Sequence, residues 1–314
     1  MIRISKKIVL AAWLAGCALS VLAQGGNIDG INTYYIKSPR FARPLVECWI
    51  REYAKVRPEV KLCIQKGNDR RHSDMQVVIR RDGTGHRSVM YFGEYAVLPV
   101  TTQGSDAARL LRGKTLSATR MRTIFFDKSA DAYDNAEDME IDAKSPMKKF
   151  VVYSGNDTSS VASLFADFYG EQMSSLRGKR ISGDDAFLIN AISADPLGVT
   201  FNALPNIYDL KARCLKQNLT LLRMDTNDET KDIMRDDATL DDVMATIERS
   251  HSGQIPTAGI GIAFDASNAV VREFLHWVIT SGVSHNHQFG ILTLDSRLAE
   301  RQIAKVRSRD TAQK

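Results

Sequence analysis

Apolar and polar positions follow two rhythms along this chain, and each change of rhythm marks the passage from strand to helix. Residues 150–153 form a short β-branched and aromatic run suited to a buried strand. A polar turn at 154–160 follows, and then Val161, Leu164, Phe165, Phe168 and Tyr169 recur at helical spacing, with Gly170 as the stop. Nearer the start, Leu45, Val46, Trp49, Ile50, Tyr53 and Ala54 make the apolar stripe of a helix that opens at Pro44 and ends by Arg57-Pro58. Strands are predicted at 60–65, 74–79, 95–100, 198–202, 219–224 and 259–264. Helices are predicted at 117–126, around Phe187, Leu188, Ala191 and Ile192, at 239–249 with Thr239 as cap, and at 269–281 before Gly282. Strands alternating with helices predict an α/β architecture.

The turn at 154–160 carries the candidate chemistry. It is rich in hydroxyls and stands where a strand hands over to a helix, so it aims free N–H groups and the positive end of the helix dipole at one spot. Two readings are open. Asp157, Thr158 or Ser159 caps the helix, or the turn holds an anion.

Charge narrows the partners. The formal net charge is +5, but Arg3, Lys6 and Lys7 precede an apolar run at 8–23 that reads as an export leader. Cleavage after Ala23 is the favoured reading, with lipidation of Cys17 in Leu14-Ala15-Gly16-Cys17 as the minority one. Removing those three of the 42 basic residues leaves 39 against 37 acidic, a net +2, which gives no reason to invoke nucleic acid. Cys48, Cys63 and Cys214 are too few and too uneven for a disulfide framework and are expected as small buried hydrophobes.

No nucleophile elbow, phosphate-cradling P-loop, H-E-x-x-H or dinucleotide fingerprint is present, so no enzyme and no cofactor is expected. The acidic run at 127–142, the loop at 225–232 and the pair His285 and His287 lack metal-ligand spacing, and no metal is expected at any of them.

The turn at 154–160 resembles the strand–R-x-D-x-S-G-T–helix loop of the periplasmic phosphate-binding proteins that serve ABC transporters. Asp157 and Ser159 match that pattern, while Ser154, Ser160 and Val161 replace its arginine, glycine and threonine. Ser38, Pro39, Arg40 and Phe41 stand where the family's first ligand loop ends in P-L before a helix, and Arg40 is a candidate for the cation missing at Ser154. The family's ligand carboxylate falls near Ile79, an apolar residue followed by Arg80-Arg81. Residues 117–126, 182–202 and 287–306 are similar to further family elements in the same order.

The resemblance implies a two-lobed type II periplasmic binding-protein fold with a ligand cleft between the lobes. It puts the crossings near Thr102 and Gln254, with 24–102 plus 255–314 in the first lobe and 103–254 in the second. It implies a site made of Ser38, Arg40, Phe41, Asp157, Thr158, Ser159 and Ser160. The expected function is a periplasmic solute-binding protein that captures an oxyanion, phosphate foremost, for an inner-membrane transporter. The alternative is a divergent binding-protein fold acting as an interaction or scaffold module of the cell envelope.

Overall fold

In the computed structural model the residues described are 33–66, 72–79, 87–128, 144–156, 159–250 and 253–307. The first elements are β1 (Thr33–Lys37), α1 (Arg43–Val56), β2 (Lys61–Ile64), β3 (Met75–Val78) and β4 (Ser88–Thr102). Then come α2 (Asp106–Leu111), α3 (Ala118–Phe125), β5 (Val151–Gly155), α4 (Ser160–Phe168), β6 (Lys179–Ile181), α5 (Phe187–Ser193) and β7 (Gly198–Ala203). The chain ends through α6 (Leu204–Ile207), β8 (Tyr208–Asp209), β9 (Cys214–Leu215), β10 (Leu219–Leu221), α7 (Leu240–Ser250), β11 (Thr257–Phe264), α8 (Ala269–Thr280) and α9 (Ser296–Arg307). The predicted α/β alternation is present.

The main sheet has the order β2-β1-β3-β11-β4-β7-β5-β6, with β10 also on β4. β4 organises it. From Ser88 to Ala96 it pairs antiparallel with β11, and from Val97 to Thr101 with β7. One continuous strand therefore serves two half-sheets, and its partner changes between Ala96 and Val97. The return passage lies alongside, with the Val97 N–H donating to the Pro256 carbonyl at 2.9 Å. Thr102, where the first crossing is expected, is the last residue of β4 and pairs with Leu219 of β10.

β4 is longer than the strand predicted at 95–100, because Gly93 reads as a breaker when only local pattern is considered. Its absent side chain serves packing instead. A Cβ at Gly93 would come within 2.5 Å of the Leu292 carbonyl, which accepts the Glu94 N–H at 3.0 Å. The chain returning after α8 is thus stitched directly onto β4.

Each half has its own aromatic core. In the first, Trp49 meets Phe92 edge-on at 4.7 Å and donates its indole N–H to the Gly282 carbonyl at 2.7 Å. In the second, Phe165 stacks on Phe201 at 3.9 Å and meets Phe125 at 4.9 Å. Trp49, Phe125, Phe165 and Phe201 lie on elements that the spacing predicted, while Phe92 lies on the part of β4 that it did not. The polar ends of the helices are satisfied locally: Ser105, Ser117 and Asn268 accept the amides that α2, α3 and α8 leave free.

Two expectations are corrected. The strand predicted at 219–224 is short, Leu219–Leu221, because Met224 instead bridges to Leu116. Cys48 is buried and Cys63 partly so, but Cys214 is exposed, since it lies on the small β8–β9 ladder outside the main sheet. The sequence-predicted features at Arg80-Arg81 and most of the acidic run at 127–142 lie outside the described residues.

Candidate functional site

The two loops singled out by sequence end up on either side of β4. On the first half, Pro39 lies in extended backbone ahead of a single 3-10 turn, Arg40–Ala42, that leads into α1. Phe41 is buried there and its ring lies 5.9 Å from that of Tyr95, on β4. The Tyr95 hydroxyl donates to the carbonyl of Ser160 at 3.2 Å, the first residue of α4. Phe41, Tyr95 and Ser160 are therefore linked across the junction of the half-sheets. Ser38 donates only to the neighbouring Pro39 carbonyl, at 3.1 Å.

Ser159 is the cap of α4, its Oγ accepting the Ala162 N–H at 3.1 Å. Its hydroxyl proton goes elsewhere, to Oδ1 of Asp185 at 2.8 Å. Both readings of the turn thus meet at one residue: the cap forms, and an anionic group lies against it. That group is the protein's own carboxylate. Asp157 and Thr158, the other two members expected in this turn, lie outside the described residues.

Three neighbours hold Asp185 in place. Asn202, fully buried on β7, donates to the Asp185 carbonyl at 2.6 Å. Asn206 in turn donates to Oδ1 of Asn202 at 2.8 Å. Gly155, at the end of β5, supplies the room: a Cβ there would lie 2.6 Å from Oδ1 of Asp185 and 2.5 Å from Oγ of Ser159. Burial pushes the Asp185 carboxyl up to about 6, the Ser159 hydroxyl opposes that shift, and the adjacent Asp184 adds to it.

Asp184 faces the other way. Its Oδ1 accepts the Ala186 N–H at 2.9 Å at the entry to α5, and its Oδ2 lies 3.9 Å from Nε of Arg40. The same Arg40 guanidinium lies over the Phe187 ring, 5.5 Å from its centre. Arg40 is engaged by the opposite half of the molecule rather than pointing at Ser154. The position of Ser154 is served by another cation: Arg180 on β6 donates to its Oγ at 3.3 Å. That guanidinium also donates to the carbonyls of Gly155, Met173 and Leu176, so it works as a backbone clamp.

The two neighbouring acids part ways: Asp184 holds the turn ahead of α5 through the Ala186 amide, and Asp185 lies on Ser159. The legible signal was the pair of acids after Gly183 in the segment most similar to the family.

Other candidates resolve into structure. Nε2 of His287 lies 2.8 Å from Oε1 of Glu248, which also accepts the N–H of Thr293 at 2.6 Å and its hydroxyl at 2.8 Å. Asn227 in the loop at 225–232 caps that loop through the Thr230 hydroxyl at 2.7 Å. No group of three or more metal-ligating side chains occurs among the described residues. A cavity of about 720 Å³ lies away from Ser159, between the end of α7, the return passage and α9, lined by Glu94, Glu248, Gln254, Thr293, Arg297 and Arg301.

No protein-family model matches the chain. No curated protein matches it either. Solved structures do. A putative phosphate ABC transporter substrate-binding protein with bound phosphate from Clostridium perfringens aligns over 84% of this chain and 100% of its own, with 11% identity and a TM-score of 0.59. An ABC-type phosphate transport receptor from Vibrio cholerae aligns over 83% of this chain and 100% of its own, with 10% identity and a TM-score of 0.53. The regulatory domain of a LysR-type transcriptional regulator from Neisseria meningitidis covers 80% of this chain at 8% identity, with a TM-score of 0.43. At these identities the first two likenesses establish the fold, the type II periplasmic binding-protein architecture that the resemblance implied, and leave the ligand open.

Proposed function

We propose that this chain is an exported binding-protein fold that works as an interaction or scaffold module of the cell envelope, rather than as a carrier of free phosphate. The observation that supports this reading is the bond from Ser159 to Asp185. In a phosphate carrier, the N-terminus of a helix such as α4 offers its donors to the guest. Here the Ser159 hydroxyl already donates to a buried carboxylate of the same chain, so it is not free to donate to a guest. The family's arginine and threonine are replaced by Ser154 and Val161, and its carboxylate position by Ile79. Export is supported by the basic start at Arg3, Lys6 and Lys7 and the apolar run that follows. The lobe division at 102 and 255 belongs to the same proposal.

Calorimetric titration with phosphate and with sulfate at pH 7.5 tests it. The expected result is no binding heat for either anion. Micromolar binding of phosphate that Ser159→Asp abolishes would overturn the reading.

That outcome would favour the second reading, oxyanion capture for an inner-membrane transporter with Ser38, Arg40, Phe41 and the 157–160 turn as ligand groups. Its specific support is the shared fold with the Clostridium perfringens protein, whose structure holds phosphate.

A further inference from the structure

We propose that Arg40, Asp184 and Phe187 form a side-chain latch that holds the two lobes together without any ligand. The contact joins the two halves of the fold by direct attraction. Arg40 lies on the turn between β1 and α1, in the first half, and Asp184 and Phe187 flank the start of α5, in the second. One guanidinium makes two kinds of contact there. Its Nε lies 3.9 Å from Oδ2 of Asp184, and its plane covers the Phe187 ring at 5.5 Å.

The partners are built for the role. Arg40 lies over one face of the Phe187 ring, which remains 41% exposed. The ring has space because Gly183 sits at φ +110°, where a Cβ would lie 3.1 Å from it. Asp184 is held by the Ala186 N–H on its other oxygen, so its carboxylate is oriented before Arg40 arrives. A second strap crosses the same junction, from Tyr95 on β4 to the Ser160 carbonyl.

The axis of motion is the place where β4 changes partner, at Ala96 and Val97, beside the return passage at Pro256. Among the described residues β4 and the return passage run between the halves there, and lobe closure about such a pair is an established mode of motion. In a ligand-driven closure the guest supplies the attraction between lobes. Here the chain supplies it from its own side chains. Because Arg40 is largely exposed, the ion pair is weak, and the ring contact adds a comparable share. Together they favour the closed form by between about threefold and thirtyfold. A partner that binds Asp184 or Phe187 would have to displace Arg40 first. The latch is independent of what the cleft recognises and stands or falls apart from the proposed function.

Pulsed spin-label distance measurement tests it on the full chain. Labels go on Val56→Cys at the end of α1 and Leu110→Cys on α2, both exposed, with Cys17, Cys63 and Cys214 replaced by serine. The latched protein gives one short distance population without ligand. Arg40→Ala and Phe187→Ala each raise the share of a longer population severalfold. Exchanging the charges, Arg40→Asp with Asp184→Arg, restores much of the short one and so excludes misfolding as the cause. Identical distributions for wild type and Arg40→Ala at matched thermal stability would overturn the latch. So would a wild-type chain that is already spread over both distances.

Discussion

The Ser159 hydroxyl donates to Asp185 at 2.8 Å and simultaneously accepts the Ala162 amide at 3.1 Å. A single oxygen therefore caps a helix and anchors a buried carboxylate. This arrangement pairs the start of α4 with a carboxylate of the same chain.

Asp185 should make the protein more stable in acid than its other carboxylates would suggest. Its folded pKa, about 6, is raised above the ordinary value of 3.8, because burial disfavours the charge. A raised value means the contribution is fully present below pH 3.8 and is lost as pH rises through 6. Asp185→Asn keeps an acceptor for Ser159 and removes the charge, so it is expected to raise thermal stability at pH 8, by roughly 2–3 kcal/mol. Near pH 4 the gain should shrink to almost nothing. Melting curves at the two pH values check this, and an equal shift at both would contradict it.

Gly155→Ala tests the crowding around that bond. The new methyl would sit 2.3 Å from Cβ of Ser159 and 2.6 Å from Oδ1 of Asp185, so both side chains must move. A loss of about 1–3 kcal/mol in denaturant unfolding is expected.

Glu248 and His287 form a second pH-sensitive pair. The Glu248 contact holds His287 above its ordinary value of 6.5, while burial opposes this. Burial pushes Glu248 up, but the bonds from His287 and Thr293 outweigh it and leave the carboxyl below 4.5. The His287 contribution is thus present below pH 6.5 and fades as pH rises through its raised value. The Glu248 contribution is present above pH 4.5 and fades in stronger acid. Glu248→Gln should cost about 1–2 kcal/mol at pH 6 and less at pH 9. Chemical-shift titration of His287 would show its pKa falling in the variant.

Phe165→Ala should be the most damaging single change in the second half. The ring stacks on Phe201 at 3.9 Å and contacts Phe125, and nothing near it is free to fill the gap. A loss of about 3–5 kcal/mol is expected, read as a lower denaturant midpoint with an unchanged slope. Phe165→Leu, which keeps most of the volume, should cost clearly less.

Much of the fold was legible in the order of residues because its elements are announced locally. The stripe from Leu45 to Tyr53, the run at 150–153 and the spacing of Val161, Leu164 and Phe165 each declare an element within a few residues. Caps are local too: Ser159 and Thr239 lie where the pattern puts them, and Thr239 accepts the Asp242 amide at 3.1 Å. By itself, then, the sequence determined much of the alternation of strands and helices and its order, but not β1, α2, β6 or the full length of β4.

Only the tertiary structure decided which charges meet. Ser159 and Asp185 are 26 residues apart, and Arg40 and Asp184 belong to opposite halves of the molecule. Their proximity follows from the β5-β7-β4 sheet order and from β4 continuing through Gly93, none of which a local window encodes. Side-chain type sets what an aspartate can do. Whether it caps, latches or fills a site depends on the groups that folding brings to it, and on how much water folding leaves around it.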